Sequence, residues 1–145
     1  MRHGFWLRFW LRPLMAIMAV FAGAAFAARP AATSPTVAVG QIQPGQWQLR
    51  EGGSSAPPRL VCLGDTDQLI QLQHPGMACA RFVVGDLPRT ATVNYSCPGA
   101  GHGRTMIHLE TPKSFHLETQ GIVSGAPFDM TFEARRVGDC TPPAR

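Results

Sequence analysis

The chain has 145 residues, of which 45% are hydrophobic and only 15% charged, and it carries 15 glycines and 13 prolines. That many helix-interrupting residues argue against a helical bundle, and the apolar fraction is too high for a disordered chain. The length suits a single domain, and the net charge of +4 is concentrated at the start of the chain.

Residues 1–12 carry Arg2, Arg8 and Arg12 and no acid, and an apolar run follows over 13–26. Ala25-Phe26-Ala27 puts small residues on either side of a larger one, as a signal peptidase requires. The run is about 15 residues, short of the roughly 20 that span a bilayer. Residues 1–27 therefore read as a signal peptide cut after Ala27 rather than as a retained anchor, and no cysteine lies nearby to carry a lipid. The expected location is the periplasm or the exterior, with no membrane span left after cleavage. Once the leader is gone, the basic residues barely outnumber the 9 acidic ones, and no cluster is denser than Arg135-Arg136. Nucleic-acid binding needs a clustered basic face, so it is not expected.

Residues 28–40, rich in Ala, Pro, Thr and Ser, read as a flexible tail. A single β-rich domain is expected over 41–140, followed by a short tail at 141–145. Pro44-Gly45-Gln46-Trp47-Gln48-Leu49 reads as a turn entering a strand with Trp47 and Leu49 on one face. Residues 52–59 form a loop by composition, and 60–63 a short apolar strand. One short helix is predicted near 65–73. Asp65 caps it, Gln68 falls three residues later, Leu69, Ile70 and Leu72 form its apolar side, and His74-Pro75-Gly76 ends it.

From Cys79 onward the side chains alternate with a period of two. The pattern predicts a mainly β fold, an antiparallel meander of about seven strands forming a curled sheet or partly open barrel. Placing Leu109 opposite Leu117 calls for a three-residue loop at 112–114, with Glu110 facing His116 and His108 facing Glu118. A Gly125-Ala126 loop of type II′ puts Val123 beside Phe128. Residues 99–103, rich in glycine, read as a wide hairpin loop.

All 4 cysteines lie beyond the leader. In an exported chain they imply two disulfides, and the absence of C-x-x-C argues against a redox site or zinc knuckle. A hairpin through 85–89 sets Cys79 opposite Cys97 and leaves Cys62 for Cys140, the preferred pairing. The local alternative joins Cys62 to Cys79 and Cys97 to Cys140.

Pro44-Gly45-x-Trp47 at the start, the cysteine spacing, and the closing Arg136-Val137-Gly138-Asp139-Cys140 together resemble the bacterial domain-of-unknown-function family 3617, small exported proteins. The resemblance covers roughly 41–140. It implies an exported, disulfide-paired β-rich domain and no particular activity.

No residue pattern for catalysis emerges. There is no G-x-S-x-G, Asp65 and Asp67 suit a helix start, and no helix follows the glycine-rich stretch to hold a phosphate. The expectation is a monomeric, non-enzymatic domain without a cofactor. It would bind a small apolar ligand in a cavity lined by Trp47, Phe82, Phe115, Phe128 and Phe132, or else an envelope partner. A structural or interaction module of the cell envelope is the alternative, and it predicts an exposed apolar patch or unpaired edge strand. Three histidines, His102, His108 and His116, share an outer face. Residues 102 and 108 lie about 20 Å apart along a strand, so only His108 and His116 make a weak metal-binding pair.

Overall fold

The computed structural model describes residues 36–141. The expected signal peptide, residues 28–35 and residues 142–145 lie outside it. Among the described residues no helix is long and apolar enough to cross a membrane.

The chain forms a short helix α1 (Val37–Gly40) and seven strands: β1 (Gly45–Glu51), β2 (Arg59–Leu63), β3 (Ala80–Leu87), β4 (Thr90–Cys97), β5 (Gly101–Thr111), β6 (Ser114–Val123) and β7 (Ala126–Gly138). All pairings are antiparallel, in one unclosed sheet of order β2-β1-β7-β6-β5-β4-β3. The mainly β reading therefore holds, in its open form. The meander runs from β3 to β7, returns to β1, and ends at β2. Two strands consecutive in sequence thus become the two edges of the sheet, and the segment between them spans the seam.

Alternation puts one set of side chains inside. Trp47, Leu49, Leu63, Ile107, Leu109, Phe115, Leu117 and Phe132 are buried on the covered face. Ala38 and Val39 of α1, with Ile42 and Leu69, complete the same cluster. Residues 36–40 thus depart from the expected tail. Ala38 and Val39 close one end of the core, where burying apolar area outweighs the weak helix propensity of so short a segment.

The predicted helix is a short 3₁₀ helix of six residues, Thr66–Gln71, with the Asp65 carboxylate accepting from the Asp67 amide at 2.9 Å. Its carbonyls are used by the sheet. Thr105, 1% exposed, donates to the Ile70 carbonyl at 2.7 Å, and Thr119 donates to the Thr105 hydroxyl at 2.9 Å. Both threonines occupy apolar-face positions, and each buried hydroxyl is partnered, which removes the cost of burying it.

The β3–β4 hairpin turns at Pro88-Arg89 rather than through 85–89, since Gly85 to Leu87 are paired in β3; three more hairpins differ from expectation. In β5–β6 Leu109 pairs with Phe115 and Ile107 with Leu117, while Thr111 pairs with Ser114 around a two-residue turn. Glu110 is bulged out there, and the Thr111 hydroxyl accepts from the Lys113 amide at 3.1 Å to hold the turn. The turn between β6 and β7 is Ser124-Gly125, with Val123 opposite Ala126 and Phe128 opposite Gly121. Both turn residues have positive φ, 49° and 82°, which is type I′ rather than II′. The Ser124 amide is held by the Ala100 carbonyl at 2.8 Å, a contact from the neighbouring hairpin. In both hairpins the slip is two residues, so every side chain keeps its expected face. The third is β4–β5, where the turn is only Pro98-Gly99-Ala100 and Gly101 to Gly103 belong to β5.

Those glycines serve close approach. Gly121 lies opposite Gly103, and a Cβ on Gly121 would stand 2.1 Å from the His102 carbonyl oxygen. Gly121→Ala is expected to cost about 1–3 kcal/mol through overpacking. Chemical denaturation measures it, and a cost within 0.5 kcal/mol, roughly that of a neutral surface change, would disprove the close-approach account.

Candidate functional site

The seam between β2 and β3 is the most distinctive place in the fold. Both disulfides bracket the segment that crosses it. Cys62 on β2 joins Cys140, and Cys79, just before β3, joins Cys97 on β4. This is the preferred of the two sequence-level pairings. The crossing segment is thus tied at both ends and anchored at its middle by Thr105.

Between the segment and the sheet edges lies a cleft of about 570 Å³, within the usual range for small-molecule sites. Val61 and Leu63 of β2 form one wall, and Leu72, Pro75 and Met77 of the crossing segment form another. The remaining lining includes Gln68, Gln71 and Arg81. Gln71 organises this polar corner. Its amide nitrogen donates to the carbonyls of His74 at 3.0 Å and Met77 at 2.8 Å, and its oxygen accepts from Arg81 Nε and Nη2 at 3.3 and 3.0 Å. Arg81 Nη1 also pairs with Asp67 Oδ2 at 3.0 Å. Burial raises the Asp67 carboxyl above the usual carboxylate value, and Arg81 offsets that only in part. Its second oxygen is buried without a partner, consistent with that direction. The corner is preformed, and its side chains are held before any ligand arrives.

Behind the crossing segment His74 is 2% exposed. It sits over a row across the sheet formed by Tyr95, Gly103, Gly121 and Phe128, each opposite the next. Tyr95 meets it edge-on with ring centroids 5.4 Å apart, and Phe128 lies at 6.3 Å. His74 Nε2 is 3.3 Å from the Ala100 carbonyl, which only accepts, so Nε2 carries the proton. Nδ1 shares a hydrogen bond with the Tyr95 hydroxyl at 3.2 Å. Burial pushes the Tyr95 phenol above its ordinary value. His74 is thus a partnered plug that fixes the crossing segment to the sheet.

The five aromatics expected to line one cavity are separated by the fold. Trp47, Phe115 and Phe132 are fully buried, with Trp47 and Phe115 ring centroids 4.9 Å apart. Phe128 is half-buried against Gly121, and Phe82 on β3 is 70% exposed. The first three are packed core, because α1 and Ile42 fill the space that a ligand would have needed.

On the outer face His108 lies directly opposite His116, not diagonal to it. Each ring has its own partner: His108 Nδ1 meets the Thr90 hydroxyl at 3.1 Å, and His116 Nε2 meets Glu110 at 2.8 Å. That bond holds the Glu110 carboxyl below its usual value. Among the described residues no three His, Cys, Asp or Glu side chains converge as metal ligands.

Gly45 and the closing Arg136 to Cys140 stretch meet in space. Arg136 Nε donates to the Pro44 carbonyl at 2.8 Å, and a Cβ on Gly45 would stand 2.5 Å from the Gly138 carbonyl oxygen. Gly45 has φ of 144° and Trp47 pairs with Arg136. The opening and closing marks of the sequence therefore lock β1 to β7. Their role is in the fold rather than the cleft.

The cleft residues were not visible as a set in the sequence, and only the periodicity of 69–72 hinted at a packed face there. The family described as Protein of unknown function (DUF3617) matches residues 42–140. No curated protein and no solved structure matches the chain.

Proposed function

The chain belongs to the DUF3617 family of proteins of unknown function, and from that premise we propose an exported, non-enzymatic domain that holds a small apolar ligand in the seam cleft. The observation that carries this reading is the preformed apolar cleft of about 570 Å³ between Val61, Leu63, Leu72, Pro75 and Met77. Its polar residues, Gln68, Gln71 and Arg81, donate and accept hydrogen bonds but supply neither a nucleophile nor a base at neutral pH. Export is supported by the basic and apolar leader pattern and by two disulfides, which persist in oxidising compartments.

The test is mass spectrometry of protein recovered from the periplasm, intact and denatured, together with displacement of a fluorescent apolar probe. The expected chain starts at Ala28, carries two bridges, and releases a small molecule on denaturation. Met77→Arg, which fills the cleft from a side chain already 40% exposed, should weaken probe binding about tenfold or more while leaving the fold intact. A ligand-free protein whose probe binding ignores Met77→Arg would end this reading.

A role in protein association is favoured by a separate observation: among the described residues β3 is an edge strand, on which Phe82, Val84 and Leu87 are exposed.

A further inference from the structure

The outer face of the sheet carries two imidazoles side by side. His108 of β5 and His116 of β6 are directly opposed, and both are exposed. Residues opposed across an antiparallel pair point the same way, with Cβ atoms about 4.5–5.5 Å apart. That spacing lets a single ion, with metal–nitrogen bonds of about 2.0–2.1 Å, lie between the rings. β5 is flanked by β4 and β6, and β6 by β5 and β7, so the ladders on both sides fix the two Cβ positions. A pair carried on interior strands is placed more precisely than one on a loop.

The contacts of each ring leave one nitrogen over. Glu110, bulged out of the ladder, accepts from His116 Nε2 at 2.8 Å, and that bond holds its carboxyl below the usual value. A carboxylate only accepts, so Nε2 carries the proton and Nδ1 of the neutral ring keeps its lone pair. His108 Nδ1 lies 3.1 Å from the Thr90 hydroxyl, which can accept as well as donate. With the Nδ1 proton turned toward Thr90, His108 offers Nε2. A histidine that ligates a metal ordinarily gives its other N–H to a carboxylate or another acceptor, which fixes the tautomer and strengthens the ligand. Both rings have such an acceptor in place.

A carboxylate stands beside the pair. Glu118 is exposed on the same face, two residues along β6 from His116 and diagonal to His108. Its directly opposed neighbours, Met106 and Thr131, are uncharged, whereas Glu133 opposes Arg50. Glu118 and His116 also line one hollow of about 200 Å³. Among the described residues no third ligand already converges on the two rings. The imidazole pair is therefore the anchor, and Glu118 and water complete the shell.

We propose that His108 and His116 form a binding site for one divalent transition-metal ion of the zinc class. Imidazole suits zinc, copper and nickel, whereas magnesium and calcium take oxygen ligands. The site lies on the face of the sheet away from the cleft, and it stands whether or not the cleft holds a ligand. It departs from the cofactor-free domain expected from the sequence.

Isothermal titration of the untagged, oxidised protein with Zn²⁺ tests it, with Mg²⁺ as the control. The expected result is saturable uptake of one Zn²⁺ per chain, no uptake of Mg²⁺, and shifts of the His108 and His116 ring resonances. Glu110→Gln keeps an acceptor for Nε2 but removes the charge, and should weaken Zn²⁺ binding about tenfold. His108→Ala and His116→Ala, both at exposed positions, should each weaken it further than that. His102→Ala, on the same face but about 20 Å along the strand, should leave it unchanged. No saturable Zn²⁺ uptake, uptake indifferent to His108→Ala or to His116→Ala, an equal loss in His102→Ala, or equal uptake of Mg²⁺ overturns the proposal.

Discussion

Replacing Cys62 and Cys140 with alanine should lower the unfolding free energy by about 4 kcal/mol. The bridge closes a sequence separation of 78 residues, and the chain-entropy model gives the larger contribution to the longer loop. The Cys79–Cys97 bridge, at a separation of 18, should contribute about 3 kcal/mol by the same reasoning. Topology adds to the difference. Among the described residues β2 is an edge strand of five residues paired to β1 alone, and Cys62 joins it to Cys140 just beyond β7. Without that link β2 can fray, and Val61 and Leu63 leave the cleft wall with it. Equilibrium urea unfolding of the oxidised protein and the double variant measures the effect. A domain of this size has a total stability of about 5–15 kcal/mol, so the variant should unfold at a much lower midpoint. A loss below about 1 kcal/mol, under the usual range for a native disulfide, would show that the β1–β2 ladder holds the edge unaided. The double variant should also lose apolar probe binding in the folded state if the cleft wall depends on the bridge.

How much of this was legible in the sequence varies with the length scale of the interaction. Which face each residue takes was legible, because a period of two survives any even slip: Leu109 and Leu117 are both buried although neither opposes the other. The register was not. It depends on a bulge at Glu110, beside which the Arg89 carbonyl holds the Leu109 amide, and on the Ala100 carbonyl that holds Ser124, so both partners lie outside the hairpin they fix. The cysteine pairing followed from strand geometry and emerged as preferred. Glycine misled for a physical reason. A run such as Gly101-His102-Gly103 has the composition of a loop, but here the missing side chains let β5 lie against β6 and let Tyr95 lie over the sheet. The tail misled in the opposite way, since Val37-Ala38-Val39 is too short to show a period yet buries two side chains completely. The cleft was the least legible part. Val61 and Arg81 meet across it only because the strand order makes β2 and β3 opposite edges, and strand order leaves no local mark in the sequence.

Trp47→Ala should be the most damaging single substitution, at about 4 kcal/mol. Trp47 is 0% exposed and packs on Phe115 at a centroid distance of 4.9 Å, inside the cluster that α1 closes. Truncating it to alanine removes the transfer energy of the indole and leaves a void beneath a sheet that both disulfides and the His74 plug prevent from collapsing. A hydrogen bond is lost as well. Trp47 Nε1 donates to the Gln43 carbonyl at 3.0 Å, and the Gln43 amide donates to the Pro112 carbonyl at 2.9 Å, so the indole helps fix the entry into β1. Trp47→Phe separates the two contributions: it keeps most of the fill, drops the donor, and should cost roughly half as much. The wild-type chain reports its own unfolding through this residue, since Trp6 and Trp10 both lie in the expected leader. The variants are followed by far-ultraviolet circular dichroism instead. If Trp47→Ala and Trp47→Phe lose the same amount, the hydrogen bond to Gln43 outweighs the packing and the core account of Trp47 fails. If neither costs more than about 1 kcal/mol, well below the usual loss for a buried aromatic, the interior is loose enough to refill, and the assignment of Trp47 to packed core fails with it.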